Sequence, residues 1–327
     1  MERGRVLEMN RNKNSGFTFS GFLCGTPQGD YIFQNADYAE QIRRAAEIIR
    51  ESDYILIGAG AGLSTAAGAE YGGKWFEENF AEFRERYGTG PHMQDMYSAG
   101  FYPFSDEEAF WGYWSKHALL GGVKLDVTPL HKVLLSLCEG KKLFVLSTNV
   151  DGQFVKAGLP ADQIFCTQGD YFHIQCSRGC HRQVYDARDL FARMDEARKN
   201  CRIPSNLVPK CPVCGGPMSM NLRSDNYFVE DSAWHEAERR FGEFLYEALS
   251  SDRKVCLLEV GVGFNTPIII RFPFEKLAKE HEQMSLVRLN LKEAFVPAWL
   301  GDRAVGINAD MARSIEDIAA YGYTLYC

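Results

Sequence analysis

No apolar run in this chain approaches the roughly 18 residues that a membrane-spanning helix needs, so no transmembrane segment is expected. The opening stretch MERGRVLEMNRNKNSG has no apolar core of signal-peptide length, and no targeting segment is expected either. Basic residues are outnumbered: 36 Lys and Arg against 43 Asp and Glu give a net charge of −7, which argues against a general nucleic-acid binder. No internal repeat or low-complexity tract stands out. Histidine is scarce, at 7 of 327 residues, and none stands at the strand ends where the polar residues gather. The dehydrogenase fingerprint G-x-G-x-x-G is absent as well: counted from Gly58 its last position falls on Leu63, and from Gly60 on Thr65.

What is present is an ordinary globular composition, 46% hydrophobic and 24% charged, long enough for one large domain with an insertion or for two domains. Ten cysteines without a secretory signal suggest a reducing compartment and a cytosolic protein. Residues 1–35 are polar and glycine-rich, and an arm or irregular cover is expected there. Tyr38, Ile42, Ala45 and Ile49 form a helical stripe. YILIGAGAGLSTAAG then reads as a buried strand, a glycine-rich turn and a helix start. KLFVLST, IFCTQG, VCLLEVG, SLVRLNL and AVGINA are further candidate strands, and AWHEAERRFGEFLYEALSS and ADMARSIEDIAAYG candidate helices. This alternation predicts a parallel sheet covered by helices on both faces.

The expected fold is therefore α/β: a Rossmann-like doubly wound parallel sheet with a small zinc-binding and helical lobe. Its Rossmann-like part would run over 36–170, with a helical insertion at about 70–125, and resume over 225–327 after a four-cysteine module at 171–224. The insertion is aromatic-rich, and Trp75, Phe76, Phe80, Trp111 and Trp114 are expected in its core. SDEEAFWGYWSKHALL is expected to open with a capping box from Ser105 to Glu108. In such sheets ligands bind outside the carboxyl ends of the strands, so Gly58, Asn149, Gln168, Gly261, Asn290 and Asn308 should share one edge.

Cys176 and Cys180 stand in C-x3-C, and Cys211 and Cys214 in C-x2-C, with 30 residues between the pairs. Two spaced pairs of soft thiolates select one zinc ion, structural because a closed four-thiolate shell leaves no position for water. Cys201 is a candidate competing ligand. The loop GAGAGLSTAAG (58–68) could bring backbone amides and a helix start to a pyrophosphate.

Taken together, these segments resemble the sirtuins. GAGLSTAAG (60–68) resembles G-A-G-x-S-x-x-x-G, STNVDGQFVKAG (147–158) resembles T-Q-N-I-D-x-L-H-x-x-A-G, EVGVGFNTPI (259–268) resembles the G-T-S-L-x-V-x-P loop, and LNLKE (289–293) resembles the strand whose Asn holds the adenosine ribose. The resemblance covers about residues 40–312. It implies NAD as the cofactor, held by Gly58, Ala59, Gly60, Gly62 and Ser64; by Thr148, Asn149, Asp151 and Gln168; by Gly261, Val262, Gly263 and Asn265; and by Asn290 and Asn308. Asp151 would recognise the nicotinamide carboxamide, and Asn149 would position the ribose or the attacking atom.

Three departures from the family pattern matter. Residues 69–73 read AEYGG where sirtuins have I-P-D-F-R. Gln168 stands in place of the catalytic histidine, and Phe154 in place of a second one. These departures resemble the macrodomain-linked class M sirtuins, which implies a protein ADP-ribosyltransferase acting on a lipoylated carrier similar to the glycine-cleavage H protein, with a macrodomain hydrolase as a candidate partner. An amide side chain cannot take the proton that deacylation must remove, and positioned base catalysis contributes roughly 10² to 10⁴-fold. Asn149, Gln168 and Asp151 are accordingly the expected catalytic residues. The alternatives are a deacylase using another base, with His173 nearest in sequence, and a non-catalytic NAD or ADP-ribose sensor.

Overall fold

Six strands order the molecule: β1 (Tyr54–Ala59), β2 (Lys142–Ser147), β3 (Ile164–Cys166), β4 (Val255–Val260), β5 (Met284–Asn290) and β6 (Ala304–Asn308). They form one parallel sheet in the order β6-β5-β4-β1-β2-β3, the arrangement of a doubly wound nucleotide-binding sheet. The structure is a computed structural model and describes residues 17–324. The first sixteen residues of the expected arm and Cys327 lie outside the described residues.

Period-2 alternation places the strand side chains. Ile55, Ile57 and Ala59 of β1 face the helices Tyr38–Glu51, Pro129–Ser136 and Met311–Thr324, while Tyr54 and Leu56 face Ser232–Ser250 and Arg271–Glu280. Leu56 and Ile57 are fully buried, and truncating either to Ala would cost about 2–5 kcal/mol. The helical stripe read from the sequence is the buried face of Tyr38–Glu51, whose first turn is capped by the Asp37 carboxylate accepting from the Glu40 amide. Helix Arg271–Glu280 was not among the expected helices: RFPFEKLAKE carries a proline and buries Arg271 and Glu275 along with its apolar residues, which blurs the apolar stripe.

Residues 17–35 form a cover over the sheet. Phe19 joins the core, and Tyr31–Ile32 pairs antiparallel with Val296–Pro297. The helical insertion and the cysteine module pack into one lobe. Phe76, Phe80, Phe83 and Tyr113 form an aromatic core with Cys201, and Trp111 packs on Phe191 of helix Arg188–Ala197. Helix Glu107–Ala118 starts one residue later than expected: Asp106, not Ser105, accepts from the Ala109 amide, and Glu108 is engaged instead by Arg202 and Ser205. The carboxylate displaces the hydroxyl because a charged acceptor holds the amide more strongly.

The cysteine module carries a three-stranded antiparallel sheet with Gly169–Cys176 between Tyr185–Asp186 and Met218–Leu222. No helix among the described residues is long and apolar enough to cross a membrane.

Candidate active site at the switch point of the sheet

Strand order reverses between β1 and β4, and the register puts Ala59 beside both Ser147 and Val260. The loops after β1, β2 and β4 therefore leave the sheet side by side. Two glycine loops meet there main chain against main chain. The Gly60 amide donates to Val260 O and the Gly62 amide to Gly261 O, each at 3.0 Å. A Cβ on Gly60 would lie 2.6 Å from Gly261 O, and one on Gly261, at φ +65°, would lie 2.2 Å from the Leu63 nitrogen. Glycine is thus required at both loops for their mutual approach. Gly58 sits one residue inside β1, and a Cβ there would meet Ile270 at 2.4 Å, so it keeps helix Arg271–Glu280 close to the sheet. Because the Gly62 amide is committed to Gly261, the glycine loop has fewer free donors than its composition suggests.

The loop after β2 brings the polar residues inward. Thr148 donates to Ala59 O from its amide, 3.0 Å, and from its hydroxyl, 3.2 Å. Asn149 donates from Nδ2 to Gly60 O at 3.0 Å. The buried Asp151 carboxylate accepts the Ser64 hydroxyl at 2.5 Å and the Gln153 amide at 3.0 Å. Ser64, Asn149 and Asp151, from two separate motifs, are thus one cluster.

Gln168 follows β3. The Thr167 amide binds Ser147 O and the Tyr171 amide binds Val150 O, both at 3.0 Å, so the segment carrying Gln168 runs alongside Asn149. Its side-chain amide has no hydrogen-bond partner within the described residues, while its carbonyl accepts the Arg223 amide at 3.1 Å. Gly169 must be glycine: its φ is +80°, and a Cβ would lie 1.9 Å from Asn221 O.

On the other side of the switch point Asn290 is fully used. Its Nδ2 donates to Val262 O at 3.1 Å, and its Oδ1 accepts the Lys292 and Glu293 amides at 3.0 Å. Val262 is buried, whereas Asn265 is exposed beyond Gly263. Asn308 lies on the edge strand, three strands from β1, and accepts the Ala294 amide at 3.4 Å. The structure does not bring it to the cluster around Asp151.

Several contributing residues escape sequence reasoning. Burial pushes the Tyr71 phenol up to about 12, and the Asp151 carboxylate adds to the rise. Tyr71 therefore stays a neutral hydroxyl beside Asp151 and Ser64, within AEYGG. It also lines a cavity of about 100 Å³ with Gly68–Glu70, Trp75, Leu120, Gly121 and Leu125. Arg223 grips the Gln168 segment: its Nε donates to Thr167 O at 3.1 Å, and its guanidinium lies over Phe228, 4.2 Å from the ring centre. The Glu293 carboxylate accepts the Phe264 amide at 3.2 Å, so an anion already caps the loop after β4. Gln153 holds the segment before helix Pro129–Ser136, accepting the Thr128 amide and donating to Asp126 O, each at 3.0 Å. Gln153 and Glu293 lie inside the STNVDGQFVKAG and LNLKE segments at positions to which the resemblance assigns no role, and a lone Arg such as Arg223 has no spacing to mark it.

His173 lies on strand Gly169–Cys176, with Nδ1 2.8 Å from Asp170. That hydrogen bond raises its pKa, which favours the imidazolium. Phe154 is a buried core residue, its ring 5.1 Å from that of His131.

The four thiols of Cys176, Cys180, Cys211 and Cys214 all lie within 4.8 Å of one another. Cys176–Cys214 is 3.7 Å and Cys180–Cys211 is 3.6 Å, close to the ~3.8 Å edge of a tetrahedron with Zn–S bonds of about 2.3 Å. The cluster can hold one zinc ion. Cys201 is not a competitor, since it is buried in the helical lobe and donates to Glu82 O. His181, unmarked in the sequence, has Nδ1 3.1 Å from the Cys180 sulfur and Nε2 2.8 Å from the Tyr185 hydroxyl.

Comparison with known proteins agrees with this geometry. A protein ADP-ribosyltransferase of Staphylococcus aureus is 33% identical over 277 residues, covering 83% of this chain and 86% of that protein. A probable bifunctional ADP-ribose hydrolase/ADP-ribosyltransferase of Fusarium oxysporum is 30% identical over 284 residues, and the matched part is 46% of the fungal protein. A crystal structure of a Sir2 homologue in complex with NAD superposes with a TM-score of 0.54 at 16% identity, over 91% of this chain and 98% of that one. No protein-family model matches. The chain belongs to the sirtuin-type, NAD-dependent protein ADP-ribosyltransferases.

Proposed function

We propose that this enzyme transfers ADP-ribose from NAD to a lipoyl-bearing carrier protein with release of nicotinamide, a structural zinc ion holding its cysteine module. The observation that carries the reading is Gln168: an unpartnered side-chain amide beside Asn149, at the strand tip where the family resemblance expects a base. In the reaction the bond from the ribose C1′ to the nicotinamide nitrogen breaks, and its electron pair leaves with nicotinamide. A nucleophile of the acceptor then bonds to C1′. Gln168 and Asn149 can donate and accept hydrogen bonds around an oxocarbenium-like ribose, but neither takes a proton at neutral pH. The acceptor must therefore arrive with its nucleophile ionised or lose its proton to solvent. Asp151, fixed by Ser64 and Gln153, recognises the nicotinamide carboxamide.

The deacylase reading would need His173 as its base. His173 instead stands on the strand of the cysteine module, in register with Asp186, and its ring bonds to Asp170 and to none of Asn149, Asp151 or Gln168. A macrodomain hydrolase, which would remove the same modification, fits as a partner because the fungal relative is named for both activities.

Incubation of the full chain with labelled NAD and a lipoylated glycine-cleavage H-like carrier tests this. The label should appear on the carrier with one nicotinamide released per label. Deacylation of acyl-lysine peptides with no labelled acceptor would overturn the reading. A pure sensor would release no nicotinamide and would keep its NAD affinity in Asp151→Ala.

A further inference from the structure

Four charged side chains are fully buried together beneath the loops after β4 and β5: Glu259 on β4, Arg288 on β5, and Arg271 and Glu275 one turn apart on helix Arg271–Glu280. Glu259 and Arg288 are register partners across the strand pair. The charges alternate in sign along a chain of contacts. Arg271 Nη2 meets Glu259 Oε1 at 3.0 Å, Arg288 Nη2 meets Glu259 Oε2 at 2.8 Å and Glu275 Oε1 at 2.9 Å, and the Tyr31 hydroxyl donates to Glu275 Oε2 at 2.8 Å.

Such a network is weak evidence of stability, because well-packed apolar residues often do as well in its place. Its contacts with the main chain point elsewhere. Arg271 Nη2 also donates to Val262 O at 2.7 Å and Glu293 O at 2.9 Å, and Arg288 Nη1 donates to Phe295 O at 2.6 Å. These three carbonyls belong to the two loops on the adenosine side of the switch point. Phe264 and Phe295 close over the Arg271 guanidinium, with centroids at 4.5 and 5.4 Å. Val262 O is held by Arg271, and two residues on the Phe264 amide meets the Glu293 carboxylate, so the loop is tied at both points.

We propose that Arg271, braced by Glu259, Arg288, Glu275 and Tyr31, is a positioning residue for the ADP half of NAD: by fixing the carbonyls of Val262 and Glu293, with Arg288 on that of Phe295, it holds the two loops that border the nucleotide in one arrangement. The inference rests on the NAD-dependent reading of the cleft. It separates nucleotide binding from chemistry, since the network touches neither Asn149, Asp151 nor Gln168.

Arg271→Lys in the full chain keeps the charge and removes the fork that spans Glu259 and two carbonyls. Loss of a charge-assisted hydrogen bond weakens binding about 10- to 100-fold. The expected result is that rise in KM for NAD, a matching loss of ADP-ribose affinity by calorimetry, and kcat within about threefold of wild type. Unchanged KM and ADP-ribose affinity, or a fall in kcat at constant KM, would overturn the proposal. If Arg271→Lys does not fold, Tyr31→Phe tests the network from its far end: a rise of a few-fold in the same two quantities supports it, and no change overturns it. Wild-type protein that binds neither ADP-ribose nor NAD would sink the functional reading itself.

Discussion

The two sides of the switch point are built differently. On the side proposed to hold the adenosine, the loops after β1 and β4 touch main chain to main chain, and Asn290 has both ends of its amide committed to neighbouring backbone. On the reacting side the polar side chains are held at one end and open at the other. Asn149 donates to Gly60 O, but its Oδ1 accepts nothing within the described residues, and the Gln168 amide is free at both ends. A binding half can be preformed in the backbone because its ligand changes little during reaction. A chemical half needs hydrogen-bonding capacity left over for groups that change charge as the glycosidic bond breaks.

The largest break in this comparison comes from the metal. The four-thiolate cluster clamps one end of the paired strands Gly169–Cys176 and Met218–Leu222, since Cys176 faces Met218 in register, while the other ends lead to Gln168 and Arg223. Stripping the proposed zinc ion would remove a contribution that reaches roughly 10–16 kcal/mol in small zinc-bound peptides. The chelated protein should lose transferase activity to background and melt in a broader transition. Full activity at a zinc content below a tenth of stoichiometric, by elemental analysis, would show that the module does not position Gln168.

Next in size is Asp151→Ala, which removes an acceptor held by two buried donors and leaves Ser64 and the Gln153 amide without it. Loss of roughly 3–4 kcal/mol of charge-assisted hydrogen bonding predicts a 10² to 10³-fold fall in kcat/KM for nicotinamide release. Gln168→Ala should be milder, about 10- to 100-fold in kcat with NAD affinity unchanged, because one neutral hydrogen-bonding group is lost. Asn290→Ala should show the reverse split. Freed from its tie to Val262 O, the adenosine loop should raise KM for NAD about tenfold at near-constant kcat. Steady-state kinetics on these variants decides whether the two sides are separable, and identical splits for Gln168→Ala and Asn290→Ala would dissolve the distinction.

The same asymmetry governs what the sequence could reveal. The sheet was legible because β1 and β4 are buried on both faces and read as apolar runs, broken only by Glu259, that end in glycine. The cysteine spacing anticipated the thiol cluster for a similar reason: two short turns leave few other geometries. What could not be read were contacts made by lone side chains from distant segments. Arg223 reaches Thr167 across 56 residues and Arg271 reaches Glu293 across 22, and neither arginine sits in a repeating pattern. Asn308 shows how far such a reading reaches. Its place at a strand end suggested the ligand edge, and the register sets it level with Asn290 on that edge, but on the outermost strand, three strands from β1.

The smallest expected gain of function is for Gln168→His, which should not turn the enzyme into a deacylase. The change supplies an imidazole whose ordinary pKa suits base catalysis near neutral pH. A useful base also needs an orienting partner for its second nitrogen, and the nearby Asp170 carboxylate is already engaged by His173. The surroundings differ from a deacylase site as well. Tyr71, a neutral phenol beside Asp151, occupies the AEYGG segment where the family resemblance expects Asp-Phe-Arg, and Arg223 fixes the Gln168 segment from below through two backbone carbonyls. Transferase activity should stay within about tenfold of wild type, since the imidazole still offers one hydrogen bond to the ribose, and acyl-lysine peptides should be turned over at background. Measured together on one preparation, the two activities isolate the residue's role. Robust deacylation by Gln168→His would mean that this one side chain sets the reaction type and that Tyr71 and Arg223 are bystanders to it.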